Sequence, residues 1–295
     1  MDELSFQDSL GVLAQYSLIN ATAGGSGFSI HLVVHNWSLH NIAVREAREV
    51  LCARAIRMVA KKVPSSEDPD RLLVARWLLP HARMTASRHM RLLEMRDLEH
   101  ELHVIAHFMQ DWESSQEVES LYVRALRGYE EAWGPEHTST LKTVHNLGYL
   151  YSNQGKMKEA EEMYQRALRG FEEAWGPKHT STLQTVNNLG ILYYGQGRMK
   201  EAEDMFMRSL RGKEGAWGSK HTSTLATIRN LGLFYHRQGK LATARTMYLR
   251  AAEGYERAEG DHEASISYLR EHILSLRTDD DALVPATSLY RTVHR

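Results

Sequence analysis

The sequence predicts an all-α fold, a right-handed solenoid of antiparallel helix pairs that follows a small N-terminal α+β segment. Three near-identical passages carry this prediction, and each contains the letters AWG followed closely by HTSTL. Their tryptophans, Trp133, Trp175 and Trp217, recur every 42 residues, and a histidine follows each one at the same distance. A fixed period of this length without gaps indicates stacked supersecondary units rather than one closed core.

The charges of the chain nearly cancel, with 36 Lys and Arg against 37 Asp and Glu. This balance argues against nucleic acid and against an anionic membrane surface as partners, because both usually require a concentrated positive field. Cys52 is the single cysteine, so no intramolecular disulfide is expected, and the N-terminus lacks a secretory signal. No apolar run approaches the length of a membrane span. We therefore expect a soluble chain in a reducing, cytoplasmic compartment.

The first forty residues predict a small mixed subdomain. Residues 1–20 have a mixed three- and four-residue apolar spacing, which predicts a short amphipathic helix ending near Tyr16. A glycine-rich turn over 21–27 separates this helix from a strand predicted over Phe28–Val34, where β-branched and aromatic residues cluster. Helix, loop and strand in this order are typical of a winged-helix subdomain.

The next segment, residues 41–95, is predicted to be a helical adaptor. Its apolar pattern indicates a long helix over 41–62, a connecting loop over 64–70 and a second helix over Arg71–Leu79. Pro80 is expected to end or kink the second helix, because proline removes a backbone donor and its ring clashes with the preceding turn.

Each repeat is predicted to contain two helices that cross closely. Small residues recur where two antiparallel helices would meet, and large residues recur beside them. In the second unit these positions are Val144, Leu147, Gly148 and Tyr151 on the first helix and Ala160, Tyr164 and Ala167 on the second helix. The spacing resembles the tetratricopeptide pattern, W-x2-L-G-x2-Y followed by A-x3-F-x2-A, with Val in place of the Trp. The 42-residue length and the signature AWGPxHTSTL resemble the kinesin-light-chain type of this repeat, which implies protein binding.

The array is predicted to hold four units over residues 96–260. The segment His103–Glu130 aligns with the following unit without a gap and is a degenerate first repeat. Residues 261–277 offer one further helix that would cover the exposed face of the last repeat. Residues 278–295 are expected to be a poorly held tail.

The three tryptophans are expected to be packing anchors between units. The extra length of the repeat would extend the second helix and the loop after it. Thr180 or Ser181 is then expected to cap the next helix by accepting a backbone N–H bond.

Two further passages resemble the C-terminal part of fungal NLR/STAND proteins, which join an NB-ARC domain to repeats. These are YSLI at Tyr16–Ile19 and SIHLVVHNW at Ser29–Trp37, followed by LLPH at 78–81. The resemblance implies that residues 1–40 are a winged-helix-like remnant and that a helical adaptor joins it to the array. It also makes His31 the candidate contact to nucleotide phosphates, although Ile30 and Leu32 replace the Met and Asp of the family motif. Because the sequence contains no G-x-x-x-x-G-K-[ST] loop, we expect no nucleotide cofactor.

The resemblance to tetratricopeptide arrays implies that the first helix of each unit lines a concave groove. Side chains just after the Val or Ile position, and those three or four residues further on, are expected to point into this groove. The expected groove residues are Lys142, His145, Asn146, Tyr149 and Asn153 in the second repeat, Asn187, Asn188, Ile191 and Tyr194 in the third, and Arg229, Asn230, Leu233, His236 and Arg237 in the fourth.

Asn146, Asn188 and Asn230 form a ladder along this face. An amide carries donors and acceptors, so a row of amides can hydrogen bond the backbone of an extended peptide whatever its side chains are. The alternative is that these asparagines hydrogen bond the neighbouring helix.

Basic residues on the same face add a second expectation. Lys142, Arg229 and Arg237 would favour an acidic or carboxylate-bearing ligand. The alternative is that they are simply solvated, as isolated basic residues on helices usually are.

No metal site or catalytic constellation is predicted. His100, His103 and His107 share one helical face, but zinc needs several converging ligands, and no cysteine or paired carboxylate is arranged with them. The sequence lacks a Gly-x-Ser-x-Gly elbow, and Cys52 lies within an Ala- and Arg-rich helical pattern.

The sequence therefore predicts a non-catalytic interaction scaffold that binds a protein or an extended peptide in the concave groove. The NLR/STAND resemblance implies that it is the sensor or regulatory part of such a system. One alternative is a subunit of a split nucleotide-dependent switch, which would meet an NB-ARC domain on another chain through residues 1–40. The other alternative is a kinesin-light-chain-like trafficking adaptor.

Overall fold

The computed structural model divides into two compact units, residues 1–101 and 102–295. The residues that the structure describes are 19–21, 28–30, 53, 55–65, 68, 70–87, 97–113, 115–258, 260 and 262–276. The helix predicted to end near Tyr16 and the nucleotide contact His31 lie outside the described residues.

The first unit contains a short antiparallel β-hairpin. Strand β1 (Ile19–Ala21) pairs with strand β2 (Phe28–Ile30), and Ile19 lies opposite Ile30. The predicted strand does begin at Phe28, and its described part ends at Ile30. The partner strand was missed, because three residues between a predicted helix and a glycine-rich turn give no alternation to detect.

Helix α1 (Arg71–Ser87) continues through Pro80, so of the two outcomes predicted for this proline, an end or a kink, the helix end is wrong. Ala75, Leu78 and Ala82 are buried on one side of the helix, both before and after the proline. Burial on both sides of a proline offsets the hydrogen bond that the proline removes. The Arg71 guanidinium donates to the carbonyl oxygens of residues 64 and 65 at 3.0 and 3.1 Å, which ties the preceding loop to α1.

The second unit is built from consecutive helix pairs, which confirms the predicted all-α solenoid. The helices are α2 (Glu99–Gln110), α3 (Gln116–Trp133), α4 (Thr138–Asn153), α5 (Met157–Trp175), α6 (Thr180–Gly195), α7 (Met199–Trp217), α8 (Thr222–Arg237), α9 (Leu241–Glu256) and α10 (Glu263–Ser275). The helices α4/α5, α6/α7 and α8/α9 pack as pairs, and α10 packs against α9. Before them α2 and α3 contact each other through His103 and Tyr122, whose ring centroids are 5.6 Å apart, and we number the four pairs as the first to fourth repeats.

In each of repeats two to four, two glycines let the helices approach closely. In the third repeat a Cβ on Gly190 of α6 would lie 2.8 Å from the Phe206 ring of α7. A Cβ on Gly212 of α7 would overlap the Leu183 side chain of α6. The sequence pattern predicted the first crossing. It missed the second, because Gly212 sits in a segment that otherwise reads as an ordinary helix.

The corresponding glycines repeat these two crossings through the array. Gly148 and Gly232 meet tyrosine rings where Gly190 meets Phe206, and Gly170 and Gly254 meet leucines where Gly212 meets Leu183. Rings and leucines at these crossings are buried, so apolar burial within each pair stabilises the repeat.

Ion pairs join the second helices of consecutive repeats in a regular ladder. A glutamate near the end of one second helix pairs with an arginine of the next second helix. The pairs are Glu130–Arg166, Glu172–Arg208 and Glu214–Arg250, and Glu256–Arg270 follows from the capping helix α10. These side chains are partly exposed, so each pair contributes little stability, but together they favour one stacking register.

Helix α10 covers the end of the array. Ile266, Leu269, Ile273 and Leu276 are buried, whereas Leu274 faces solvent. Helix α10 also supplies Arg270, which pairs with Glu256, the last glutamate of the ladder. The helix therefore covers apolar side chains of the fourth repeat and also pairs one of its charges.

The close crossing at Gly212 gives a matched pair of variants. We expect Gly212→Ala to lower the free energy of unfolding by about 1–3 kcal/mol, because the new methyl group forces Leu183 to move within a packed interface. Gly215→Ala lies in the same helix with nothing within 4 Å of the new Cβ. It should stabilise by up to about 1 kcal/mol through helix propensity. Urea unfolding of the two variants measures both effects, and equal stabilities would contradict the crossing.

Candidate functional site

The HTSTL segment begins each first helix with a histidine cap. His179 precedes α6, and its Nδ1 accepts a hydrogen bond from the Ser181 backbone N–H at 3.2 Å. His137 and His221 cap α4 and α8 in the same way. The prediction that Thr180 or Ser181 is the cap is therefore wrong: Thr180 is the first helical residue, and Ser181 supplies the amide.

A threonine in the same segment ties each first helix to the loop before it. The Thr182 hydroxyl donates to the Gly176 carbonyl at 2.9 Å. The corresponding bonds from Thr140 and Thr224 have the same length. Gly176 ends α5 with φ of 84°, a backbone conformation that glycine adopts readily. The loop and the next helix are therefore fixed together.

The tryptophans stack at the edge of the array. The Trp175 ring lies between Phe171, at a centroid distance of 5.2 Å, and the capping His179, at 4.2 Å. Trp133 repeats this arrangement but is 52% exposed. The Trp175 indole packs against the buried cluster of Leu141, Val144, Ala167 and Phe171 and contacts His179 of the next unit, as expected of a packing anchor, whereas Trp133 lies at the surface. Lys142 lies over the Trp175 ring at 5.6 Å.

The solvent-facing side of the first helices carries the predicted groove residues, and we call it the first-helix face. Its exposed members are Lys142, Tyr149, Asn153, Ile191 and Arg237. Its partly buried members are His145, Asn146, Tyr194, Arg229, Asn230, Leu233 and His236, and its buried members are Asn187 and Asn188. These side chains occupy the same positions in successive repeats, so they form one continuous surface.

His145 joins the second repeat to the third by two hydrogen bonds. Its Nδ1 lies 2.9 Å from the Thr185 hydroxyl oxygen. Because that hydroxyl donates to the Ser181 carbonyl, the imidazole N–H donates to Thr185. Its Nε2 therefore accepts from the Asn188 amide at 3.4 Å. This arrangement requires a neutral imidazole, and burial lowers the pKa of His145 to about 4.

The joint between the third and fourth repeats uses different side chains. Asn187 replaces the histidine, and its amide oxygen accepts from Asn230 at 3.3 Å. Lys213 takes the place that an aromatic ring fills in the second repeat, and its ammonium group donates to the Thr227 hydroxyl at 2.9 Å. The Lys213 side chain is buried, and this hydrogen bond does not pair it with a carboxylate. Burial lowers the pKa of Lys213 to about 8.

The asparagine ladder hydrogen bonds the neighbouring repeat in every described interface. Asn146 approaches His103 at 3.5 Å, Asn188 bonds His145, and Asn230 bonds Asn187. This geometry agrees with the alternative stated for these asparagines, that they hydrogen bond the neighbouring helix. The groups that remain exposed above them are Tyr149 and Ile191, each 42% exposed, and the half-buried Leu233 at the same position of the fourth repeat.

The C-terminal end of the first-helix face combines cations with aromatic rings. The Arg237 guanidinium lies 5.5 Å from the centre of the Tyr194 ring, and Arg229 lies 5.9 Å from the Tyr268 ring. His236 lies between Tyr248 and His272 at ring distances of 6.3 Å. Sequence reasoning missed Tyr268 and His272, because α10 lies outside the 42-residue period.

The two layers of the array differ in charge. The first helices α4, α6 and α8 contain no Asp or Glu, whereas the second helices α5 and α7 carry several. The first-helix face of repeats two to four therefore presents Lys142, Arg229 and Arg237 without acidic neighbours on its own helices. This distribution favours a ligand with negative charge.

The three histidines considered for metal do not converge. His103 bonds Thr143 and approaches Asn146, and no three His, Cys, Asp or Glu side chains of the described residues are arranged as metal ligands. Among the helices described, none has the length and apolarity needed to cross a membrane.

Models of the tetratricopeptide repeat match residues 95–173, 143–215 and 224–265. Comparison with curated proteins finds no match. Among solved structures the chain is similar to BtubC (BKLC) from P. vanneervenii, with 18% identity, a TM-score of 0.56, and coverage of 79% of this chain and 83% of that one.

Two structures of kinesin light chain nearly identical TPR-like repeats from Podosopora anserina are also similar. One has 19% identity, a TM-score of 0.54, and coverage of 68% of this chain and 96% of that one. The other has 16% identity, a TM-score of 0.51, and coverage of 75% and 100%. At these identities the likeness shows the fold.

The buried imidazole gives a pH prediction. Because folding lowers the pKa of His145 from 6.5 to about 4, the unfolded chain binds the proton first as the pH falls. The contribution of His145 is complete above about pH 6.5 and is lost as the pH falls toward 4. We expect the free energy of unfolding to fall more steeply over this range in the parent chain than in His145→Asn. Chemical denaturation at several pH values measures how steeply the free energy of unfolding depends on pH in each protein. Equal slopes would contradict a neutral His145 between the second and third repeats.

Proposed function

Because the chain belongs to the tetratricopeptide-repeat family, with repeats over residues 95–215 and 224–265 that make it a protein-interaction scaffold, we propose that it binds an extended peptide segment along the first-helix face. The role is non-catalytic. The ligand would lie across the first helices of repeats two to four.

The exposed apolar row of Tyr149, Ile191 and Leu233 is the observation that carries this proposal. One such residue occupies the same position in three successive first helices, above a layer of hydrogen-bonded polar side chains. Exposed apolar residues are normal on a protein surface, so the proposal rests on where this row lies, in the first helices and directly above the hydrogen-bonded layer. A row of this kind supplies separate contacts for successive ligand side chains.

We assign separate roles to the remaining predicted groove residues. Asn188 is 8% exposed and already bonded to His145, so the asparagine ladder, with His145 and Asn187, supports the face from beneath. The residues that would contact the two ends of the ligand are Lys142, Arg229, His236 and Arg237. The Tyr194 ring lies beside Arg237 and supports it.

A displayed library of random peptides, selected on the full chain, tests the proposal without assuming which partner binds. We expect Tyr149→Ser together with Ile191→Ser to weaken the selected peptides ten-fold or more, because two apolar contacts of about 1 kcal/mol each are lost. Isothermal calorimetry measures the affinities.

A matched control variant removes a similar amount of exposed apolar surface from the second helices. Met199→Ser together with Leu241→Ser removes two side chains that are 39% and 40% exposed, but on second helices. This control should leave the affinities unchanged. A selection that yields no peptide, or peptides weakened equally by both double variants, would place binding elsewhere.

We further propose that the scaffold is the sensor or regulatory part of an NLR/STAND-like system. The residues YSLI and SIHLVVHNW, which resemble the winged-helix end of such proteins, support this role. The sequence contains no phosphate-binding loop, so a sensor of this kind should show no heat of binding with ADP at about millimolar concentration. Measurable binding would instead favour a split nucleotide-dependent switch.

A further inference from the structure

Three side chains along one face of helix α8 alternate between cationic and apolar, and we call them the stripe. Arg229, Leu233 and Arg237 are four residues apart, so they follow one face of the helix at intervals of about 6 Å. The equivalent triplet in α6 is Asn187, Ile191 and Gly195, and in α4 it is His145, Tyr149 and Asn153. Every triplet has an apolar centre, but the triplet of α8 is the one with a cation on each side.

Both arginines of the stripe are braced by aromatic rings from neighbouring helices. Tyr194 of α6 lies beside Arg237, and Tyr268 of α10 lies beside Arg229. At these distances each guanidinium is attracted to the face of its ring, and its N–H groups can still donate to a ligand. The two cations lie on opposite sides of Leu233 along the helix.

Neither arginine is neutralised by a carboxylate among the described residues. This differs from the second helices, where Arg166, Arg208 and Arg250 all pair with glutamates of the preceding repeat. Since α8 itself contains no Asp or Glu, the stripe keeps its positive charge. Charge complementarity therefore selects an acidic occupant.

The spacing of the stripe matches an extended chain. In an extended peptide alternate side chains point the same way and lie about 6.6–6.8 Å apart. The three residues of the stripe span about 12 Å, and five residues of extended peptide place three side chains over about 13 Å. A guanidinium reaches a carboxylate through two parallel N–H bonds, which favours acidic side chains at the two outer positions.

We propose that α8 binds a peptide segment of the pattern acidic–x–apolar–x–acidic, with the carboxylates on Arg229 and Arg237 and the apolar side chain on Leu233. This inference rests on the proposed function and adds to it a partner class, a spacing and a direction: at the C-terminal end of the array the segment turns to follow the axis of α8.

Two peptides of identical composition test the spacing. One has a Glu two residues before and two residues after a central Leu, in a background of Ser and Gly. The other has both Glu residues directly beside the Leu, where they cannot share its direction in an extended chain. Fluorescence anisotropy with the full chain should show the first peptide binding about ten-fold more tightly or better. Added salt should weaken it, because the contacts are partly exposed.

Arg229→Gln together with Arg237→Gln should abolish the difference between the two peptides. Arg169→Gln together with Arg211→Gln removes the same charge from exposed positions on second helices and should preserve the difference. Thermal unfolding of both double variants checks that the fold is kept.

The outcomes separate this inference from the proposed function. Equal binding of the two peptides, or a difference that survives in Arg229→Gln/Arg237→Gln, would overturn the inference. If library peptides still bind through Tyr149 and Ile191 in that case, the proposed function stands. If the library yields no peptide that depends on the first-helix face, both fail.

Discussion

The close approach of the two helices within each repeat is the constraint on which the rest of the structure depends. In repeats two to four it exists because glycine lies at both crossing points, for example under an aromatic ring at Gly190 and against a leucine at Gly212. Any Cβ at these points would force packed side chains to move. Once the pairs are fixed, each repeat exposes the same apolar surfaces to its neighbours, and stacking buries them. The 42-residue period is thus the period of one physical unit.

Polar contacts then set how the units stack. Histidine caps and threonine bonds fix each loop to the following first helix, and the glutamate–arginine ladder aligns the second helices. These contacts lie on the second helices and in the loops. The first helices α4, α6 and α8 carry no carboxylates. In repeats two to four the carboxylates therefore lie outside the first helices.

The places where the copies differ fall into two kinds. At the joint between repeats, replacement of His145 by Asn187 is accompanied by replacement of Phe171 by Lys213, and the hydrogen bond to the threonine passes from the histidine to the lysine. The polar contact is kept although its donor changes. On the outer side, changes such as Tyr149 to Ile191 have no compensating partner. Differences of the second kind are free to set ligand preference.

The sequence by itself determined the period, the helix pairs, the first glycine crossing and which residues recur along one side of the first helices, because these depend on spacings within one repeat. Only the tertiary structure decided which of those residues are accessible. The ladder asparagines, such as Asn188, are bonded to partners 43 residues away, and the Trp133 ring stacks at the surface. The aromatic ring beside Arg229 is Tyr268 of α10, a helix that lies outside the 42-residue period. A repeat pattern predicts positions, but exposure and hydrogen bonding depend on the neighbouring copy, and the copies are not identical.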